Sequence, residues 1–257
     1  SEELGYSILI AVSDFDPEVE LRQCFNLIRS GAEGLLLEGG LHSAELYALL
    51  AAHNVLYVNT STYDPTSSHP TIGFSNRGIA SKATQYLLDL GHVNLGVISA
   101  QTTFNDRAAG RIEGIRDRLR GAGFELTPEQ VVECGFALSD ARRAFRQLMA
   151  LPNPPTAVVC TNDQLALGCI LEAQHSGLRI PRDVSVMGFD DLDWAAHLKP
   201  SLTTMYVPTA EIGCAAAEFL VHMIEGGRPP MAMEIGVDLI VRESTAPMLG
   251  RKSQAGA

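Results

Sequence analysis

Short apolar runs alternate with segments of helical period along most of this chain. Six runs are brief, rich in leucine or β-branched residues, and followed by polar residues or glycine: Ser7–Ala11, Gly34–Leu37, Val55–Val58, Val93–Ile98, Ala157–Cys160 and Val184–Gly188. That is the pattern of strands buried on both faces of a parallel sheet. Between them, Ile79, Ala83, Tyr86, Leu87 and Leu90 share one helical face, and Gly91 supplies the stop. Ile112, Ile115 and Leu119 recur at i, i+3 and i+7. A helix from about Thr209 turns Ile212, Ala216, Phe219, Leu220 and Met223 inward and ends at Gly226-Gly227. Ser139-Asp140 predicts an N-cap ahead of a helix carrying Ala144, Phe145 and Leu148. The alternation implies an α/β fold of parallel sheets joined by right-handed crossovers.

A chain of 257 residues with this many units points to two lobes rather than one sheet. The most turn-rich stretch, Thr60–Thr71, predicts a surface excursion near a lobe boundary, and a second break is expected around Tyr206–Pro208. No tandem repeat or coiled-coil heptad interrupts the pattern. The tail, Gly250–Ala257, is expected to fray.

Charge narrows the partners. Thirty acidic against 19 basic residues give a formal charge of −11. Affinity for nucleic acid rests on neutralising phosphates with Lys and Arg, so this stretch is not expected to touch DNA. No segment approaches the ~20 apolar residues of a membrane-spanning helix, and the acidic start, SEELG, is wrong for a secretion signal. The five cysteines (Cys24, Cys134, Cys160, Cys169, Cys214) are scattered, with no CxxC pair. That argues against a disulfide framework or zinc site and fits a reducing cytoplasm.

Enzyme signatures are missing: no GxxxxGK[ST], HExxH or GxGxxG occurs, and Ser75 in GFSNRG lacks the second glycine of a nucleophile elbow. The seven histidines show no metal-ligand spacing. His92, in LGH before a strand, reads as a cation at a helix C-terminus. Asn59-Thr60-Ser61 matches a glycosylation sequon by chance. The chain is therefore read as a non-enzyme with no cofactor.

Polar residues concentrate where open α/β sheets bind ligands, beyond the carboxyl ends of strands. Asn59 follows one strand, and Gln101 to Asp106 follow another, with Asn105 among them and Arg107 and Arg111 on the next helix. Phe136, Thr161-Asn162-Asp163 and Phe189-Asp190-Asp191 follow the remaining strands. A carboxylate, carboxamides, a guanidinium and an aromatic face suit a small polyhydroxylated ligand. Blander roles compete. Asn162 or Thr161 would serve equally as a helix cap, Arg111 as a structural ion pair, and Phe136 as core. Asp190 and Asp191 would start a helix, though two adjacent acids rarely both cap.

Ile180-Pro181-Arg182-Asp183-Val184-Ser185-Val186-Met187-Gly188-Phe189-Asp190-Asp191, followed by Pro200 to Met205 and Pro208, closely resembles the lactose/galactose repressor (LacI/GalR) family. So do Thr156–Gly168, Tyr86–His92, the spacing of Arg111 with Gly114, and Leu239–Thr245. The resemblance spans essentially the whole chain. It implies two doubly wound parallel-sheet lobes of the type I periplasmic-binding-protein kind. One lobe would hold 1–75 and 206–228, the other 76–205 and 229–248, with 249–257 a tail. It implies an effector-sensing and dimerisation domain of a cytoplasmic transcription regulator, a homodimer binding a small sugar-like molecule, or a nucleobase or nucleoside, in the interlobe cleft. By resemblance Arg111 and Asp190 grip the effector, Asn162 assists, Phe136 forms an aromatic wall, and Asn105 and Asn59 line the cleft. Relatives carry a DNA-binding headpiece, which would contact operator DNA, and a first strand and helix ahead of Gly5 to Ile10. Neither is recognisable here, and a lobe without its first strand is expected to leave a gap in its sheet. Where relatives commonly carry Asp-Asn, this chain has Phe74-Ser75, which implies a less polar cleft on that side. The alternative within the same fold is a sugar-binding protein of a transporter. A hydrolase using Asp190 and Asp191 is disfavoured, because adjacent carboxylates in extended chain point apart.

Overall fold

A computed structural model describes residues 5–248; the tail expected to fray lies outside the described residues. These residues divide into two compact units, one of 5–76, 102–110 and 208–236, the other of 77–101, 111–207 and 237–248.

The first unit is built on a parallel sheet of β1 (Gly34–Glu38), β2 (Leu56–Thr60), β3 (Thr71–Gly73) and β9 (Ala232–Glu234), in the order β1-β2-β3-β9. Its helices are α1 (Pro17–Arg29), α2 (Ala44–Ala52) and α7 (Thr209–Ile224). Asp16 starts α1, its carboxylate accepting from the amides of Glu18 and Val19 at 2.9 and 3.1 Å, ahead of Pro17, whose fixed φ suits a first turn. Cys24, Leu35, Leu37, Leu46 and Leu50 form the buried cluster between α1, α2 and β1.

The expected strand Ser7–Ala11 does not form. Among the described residues, 7–11 pair with no strand, and Ile8, Leu9, Ile10 and Val12 are 68, 59, 87 and 66% exposed. Between this run and β1 lies a cavity of about 880 Å³, walled also by Leu27, Leu220, Val221 and Ile224. A strand needs a ladder partner within about 5 Å, and among the described residues β1 bonds only to β2.

The second unit has six strands, β4 (Leu95–Ala100), β5 (Val131–Cys134), β6 (Ala157–Cys160), β7 (Ser185–Asp190), β8 (Thr203–Tyr206) and β10 (Asp238–Ile240), in the order β10-β8-β7-β6-β4-β5. All pairings are parallel except β10 with β8. With them go α3 (Asn76–Asp89), α5 (Leu138–Met149) and α6 (Asp163–His175), while α4 (Asp106–Gly121) begins in the first unit and ends in the second. The stripes Ile79, Ala83, Leu87 and Ile112, Ile115, Leu119 are buried as their spacing predicts. Gly114 is the position without tolerance on α4: a Cβ there would collide with the carbonyl oxygen of Arg77. Helix α5 starts one residue before Ser139, with Ala137 as N-cap, and Asp140 instead binds Arg143 at 2.7 Å.

Three expectations are corrected. Residues 229–236 belong to the first unit, because β9 pairs with β3 at Ile72↔Met233, and 102–110 join it through hydrogen bonds described below. His92 is not an exposed helix-end cation. It is buried, its ring nitrogens bonding Thr156 Oγ1 and the Ala246 carbonyl at 2.9 Å each, and burial lowers its pKa. Phe74 is buried in the first unit. On α6, Glu172 is buried against Arg142 at 2.7 Å and Arg146 at 2.9 Å, and the bond from Arg146, ahead of that from Arg142, draws its pKa down to about 2.

Candidate functional site

In the second unit the strand ends assemble around Arg111. This residue lies on α4 beside the apolar stripe and is 7% exposed, so its charge must be met locally. One Nη donates to the Thr161 carbonyl just past β6 and stands 3.8 Å from Asp190 Oδ1 at the end of β7. The guanidinium carbon is 4.8 Å from the Phe189 ring centroid, a cation–π distance. The Asp190 side chain stays 32% exposed. A buried cation is therefore joined to an acceptor still reachable from solvent, which suits recognition of hydroxyl or amine hydrogens.

The backbone here is unusual. Asp190 and Asp191 have φ of 117° and 57°, in the region that favours glycine. Asp191 is turned away to Arg242, at 2.7 Å, and that same nitrogen bonds the Leu202 carbonyl at 2.8 Å. Neither acid starts a helix: the short 3₁₀ turn Asp193–His197 has Leu192 as its N-cap. Asn162 does cap α6, its Oδ1 accepting from the Leu165 amide at 2.8 Å. Beside it Asp163 is fully buried, accepting from Thr204 Oγ1 at 2.6 Å and from the Leu192 amide at 2.9 Å. Burial is the chief cause that pushes its carboxyl up to about 7, with the charges of Asp190 and Asp191 adding to it against the pull of those hydrogen bonds. Phe136, one residue past Gly135 after β5, is 47% exposed and so is not core.

In the first unit, Asn59 ends β2 and is buried. Its Nδ2 donates to the Tyr47 hydroxyl at 3.1 Å, while Oδ1 has no hydrogen-bond partner among the described residues. Tyr47 in turn stacks on His69 at 3.7 Å, and Tyr57 Oη lies 2.6 Å from His69 Nδ1. Asn105 caps α4, Oδ1 accepting from the Ala108 amide at 3.2 Å. The next residues tie α4 to the end of β1: Asp106 accepts from the Gly40 amide at 2.8 Å and Arg107 donates to the Glu38 carbonyl at 3.0 Å.

Of the expected site residues, Arg111 and Asp190 meet directly, and Asn162 adjoins the Thr161 carbonyl that Arg111 holds. Asn59 and Asn105 belong to the other unit, each committed to a local partner. The sequence places Phe189 and Asp163 after strands without giving either a role, and it does not mark Arg242 as a participant. Phe189 and Asp163 adjoin residues that were singled out. Arg242 lies in the family-like segment Leu239–Thr245, but nothing in that segment assigns it a partner. Among the described residues no cluster of three His, Cys, Asp or Glu side chains could hold a metal, and no helix is long and apolar enough to cross a membrane.

Comparison with known proteins gives consistent matches. A family model for a periplasmic binding protein-like domain matches residues 84–245. The HTH-type transcriptional repressor PurR of Pasteurella multocida (strain Pm70) is 29% identical over 248 residues, which is 95% of this chain and 74% of that protein. The HTH-type transcriptional repressor CytR of Escherichia coli (strain K12) is 29% identical over 94% of this chain and 71% of its own length. Among solved structures, the transcription regulator GntR from Chromobacterium violaceum superposes with a TM-score of 0.88 at 27% identity, covering 95% of this chain and 90% of that one. A complex of the transcriptional regulator CelR with cellobiose gives 0.83 at 28% identity, covering 95% and 75%.

Proposed function

Because the chain belongs to the periplasmic-binding-protein-like domain family, and within it to the LacI/GalR transcription regulators, we propose that it senses a small-molecule effector through Arg111 and Asp190. The observation that carries this reading is the buried Arg111 guanidinium, 3.8 Å from a carboxylate still open to solvent at the end of β7. Burial obliges the cation to find its partners locally, while the exposed edge of the carboxylate leaves acceptor capacity for a ligand's hydroxyl or amine hydrogens. Asn162 and Phe136 supplement the pair from the same unit. The effector class is a sugar or sugar derivative, with nucleobases and nucleosides next. The CelR structure holds cellobiose, which supports an oligo-hydroxyl ligand by analogy.

Effector binding shifts a conformational equilibrium of the domain, and linkage requires operator binding to change effector affinity by the same factor. Operator contact falls to an HTH-type segment like that named in the relatives, since a formal charge of −11 repels phosphates. The working form is a homodimer acting where its DNA is, in the cytoplasm. The transporter reading is not favoured, because PurR, CytR, GntR and CelR are all transcription regulators.

The test is a thermal-shift screen against sugars, sugar phosphates, nucleobases and nucleosides, followed by calorimetry on the hits. A ligand at 100 times its Kd stabilises a single-site protein by about 2.7 kcal/mol. Arg111→Ala and Asp190→Ala are expected to abolish binding with the fold retained. Normal calorimetric binding by both variants overturns the assignment.

A further inference from the structure

Asp163 takes no part in the grip described above, yet it is fully buried and its two oxygens serve different segments. Oδ1 accepts from Thr204 on β8 at 2.6 Å, and Oδ2 accepts from the amide of Leu192 at 2.9 Å. Leu192 directly follows the two residues whose positive φ no glycine relieves, Asp190 at 117° and Asp191 at 57°. A backbone in that region persists only when its surroundings hold it. Ties that do so include the Val207 amide to the Asp190 carbonyl at 3.3 Å, Arg242 to Asp191 at 2.7 Å, and Asp163 to Leu192. Of the two side chains among them, only Asp163 is wholly buried. The sequence also makes room for it, because a Cβ on Gly188 of β7 would run into Asp163 Oδ1.

We propose that Asp163 is the positioning residue of this site: its buried carboxylate fixes the Asp190–Leu192 turn and thereby sets Asp190 against Arg111. The functional meaning rests on Arg111 and Asp190 contacting effector; the structural coupling does not. Asp163 opens α6, where the helix dipole favours a carboxylate. The groups that face it are the like-charged Asp190 and Asp191, themselves met by Arg111 and Arg242, the Thr204 hydroxyl, and the Cys160 thiol on β6. Its carboxyl titrates at about 7, far from the usual carboxylate range, so its protonation can be followed apart from other acids.

The experiment follows two NMR resonances of the ligand-free protein, the Leu192 amide and the Arg111 Nε–H group, against pH in wild type, Asp163→Asn and Asp163→Ala. In wild type both are expected to titrate with one midpoint at about 7. Asp163→Asn, which keeps an acceptor but cannot ionise, is expected to remove that titration from both while the rest of the spectrum is retained. In Asp163→Ala, exchange of the Leu192 amide is expected to be about tenfold faster, the effect of one lost hydrogen bond. If that variant does not fold, Asp163→Asn decides alone. A Leu192 resonance that loses its titration while Arg111 keeps its own makes Asp163 a loop anchor only and overturns the proposal, as does titration in neither. Calorimetry of Arg111→Ala with hits from the screen judges the effector reading separately, since its failure leaves the resonance result standing.

Discussion

The guanidinium carbon of Arg111 stands 4.8 Å from the centre of the Phe189 ring while its Nη reaches the Thr161 carbonyl. A planar fork meets a ring face and an in-plane acceptor at once; a lysine ammonium cannot. Arg111→Lys is therefore expected to weaken effector binding at least tenfold, about 1.4 kcal/mol, although charge is preserved. Calorimetry on the screened ligand checks this, and wild-type affinity in Arg111→Lys would show that charge alone suffices.

Glu172 is buried between Arg142 and Arg146, and its pKa falls from the usual 4.5 to about 2. A carboxylate depressed in the folded state adds stability above its unfolded pKa and loses it as pH falls through the folded value. Glu172→Gln is expected to cost about 2 kcal/mol at neutral pH, and the difference from wild type should close between pH 4.5 and about 2. Urea unfolding at a series of pH values reads it directly.

Asp163 has the opposite sign. Its folded pKa, about 7, lies above the usual 3.8, so the folded state holds its proton more tightly than the unfolded chain. The stability linked to that proton is fully present below pH 3.8 and is lost as pH rises to about 7. Asp163→Asn is expected to flatten the fall of stability with pH across that window. An unchanged slope would mean the carboxyl titrates normally.

On α4, Gly114→Ala would drive a methyl into the Arg77 carbonyl at the start of α3. Overpacking of this kind costs about 1–3 kcal/mol, and a lowered Tm measured by calorimetry is the expected result. No change would show that α3 and α4 separate without strain.

Much of this was legible from spacing. The stripe Ile79, Ala83, Leu87 and the strand Ala157–Cys160 lie where period and run length place them, because each is buried by its own unit. Strand β9, three residues long, could not be read, since Ala232–Glu234 has neither alternation nor length and is a strand only because β3 lies beside it. Arg111 and Asp190 were legible from their place after strands. Arg242 was not, because nothing near it in sequence announces that its partner is Asp191. Histidine 92 misled for a related reason: a residue after a helix-stopping glycine looks exposed until the strands around it are assembled.

Among the described residues, the apolar run 7–12 pairs with no strand and β1 has one side without a ladder partner, which bears on handling. An edge that offers free N–H and C=O groups beside exposed isoleucines templates strand addition by another chain. A polypeptide limited to the described residues should accordingly self-associate in a concentration-dependent way. Its light-scattering signal should rise on standing, despite a net charge that ordinarily keeps proteins apart.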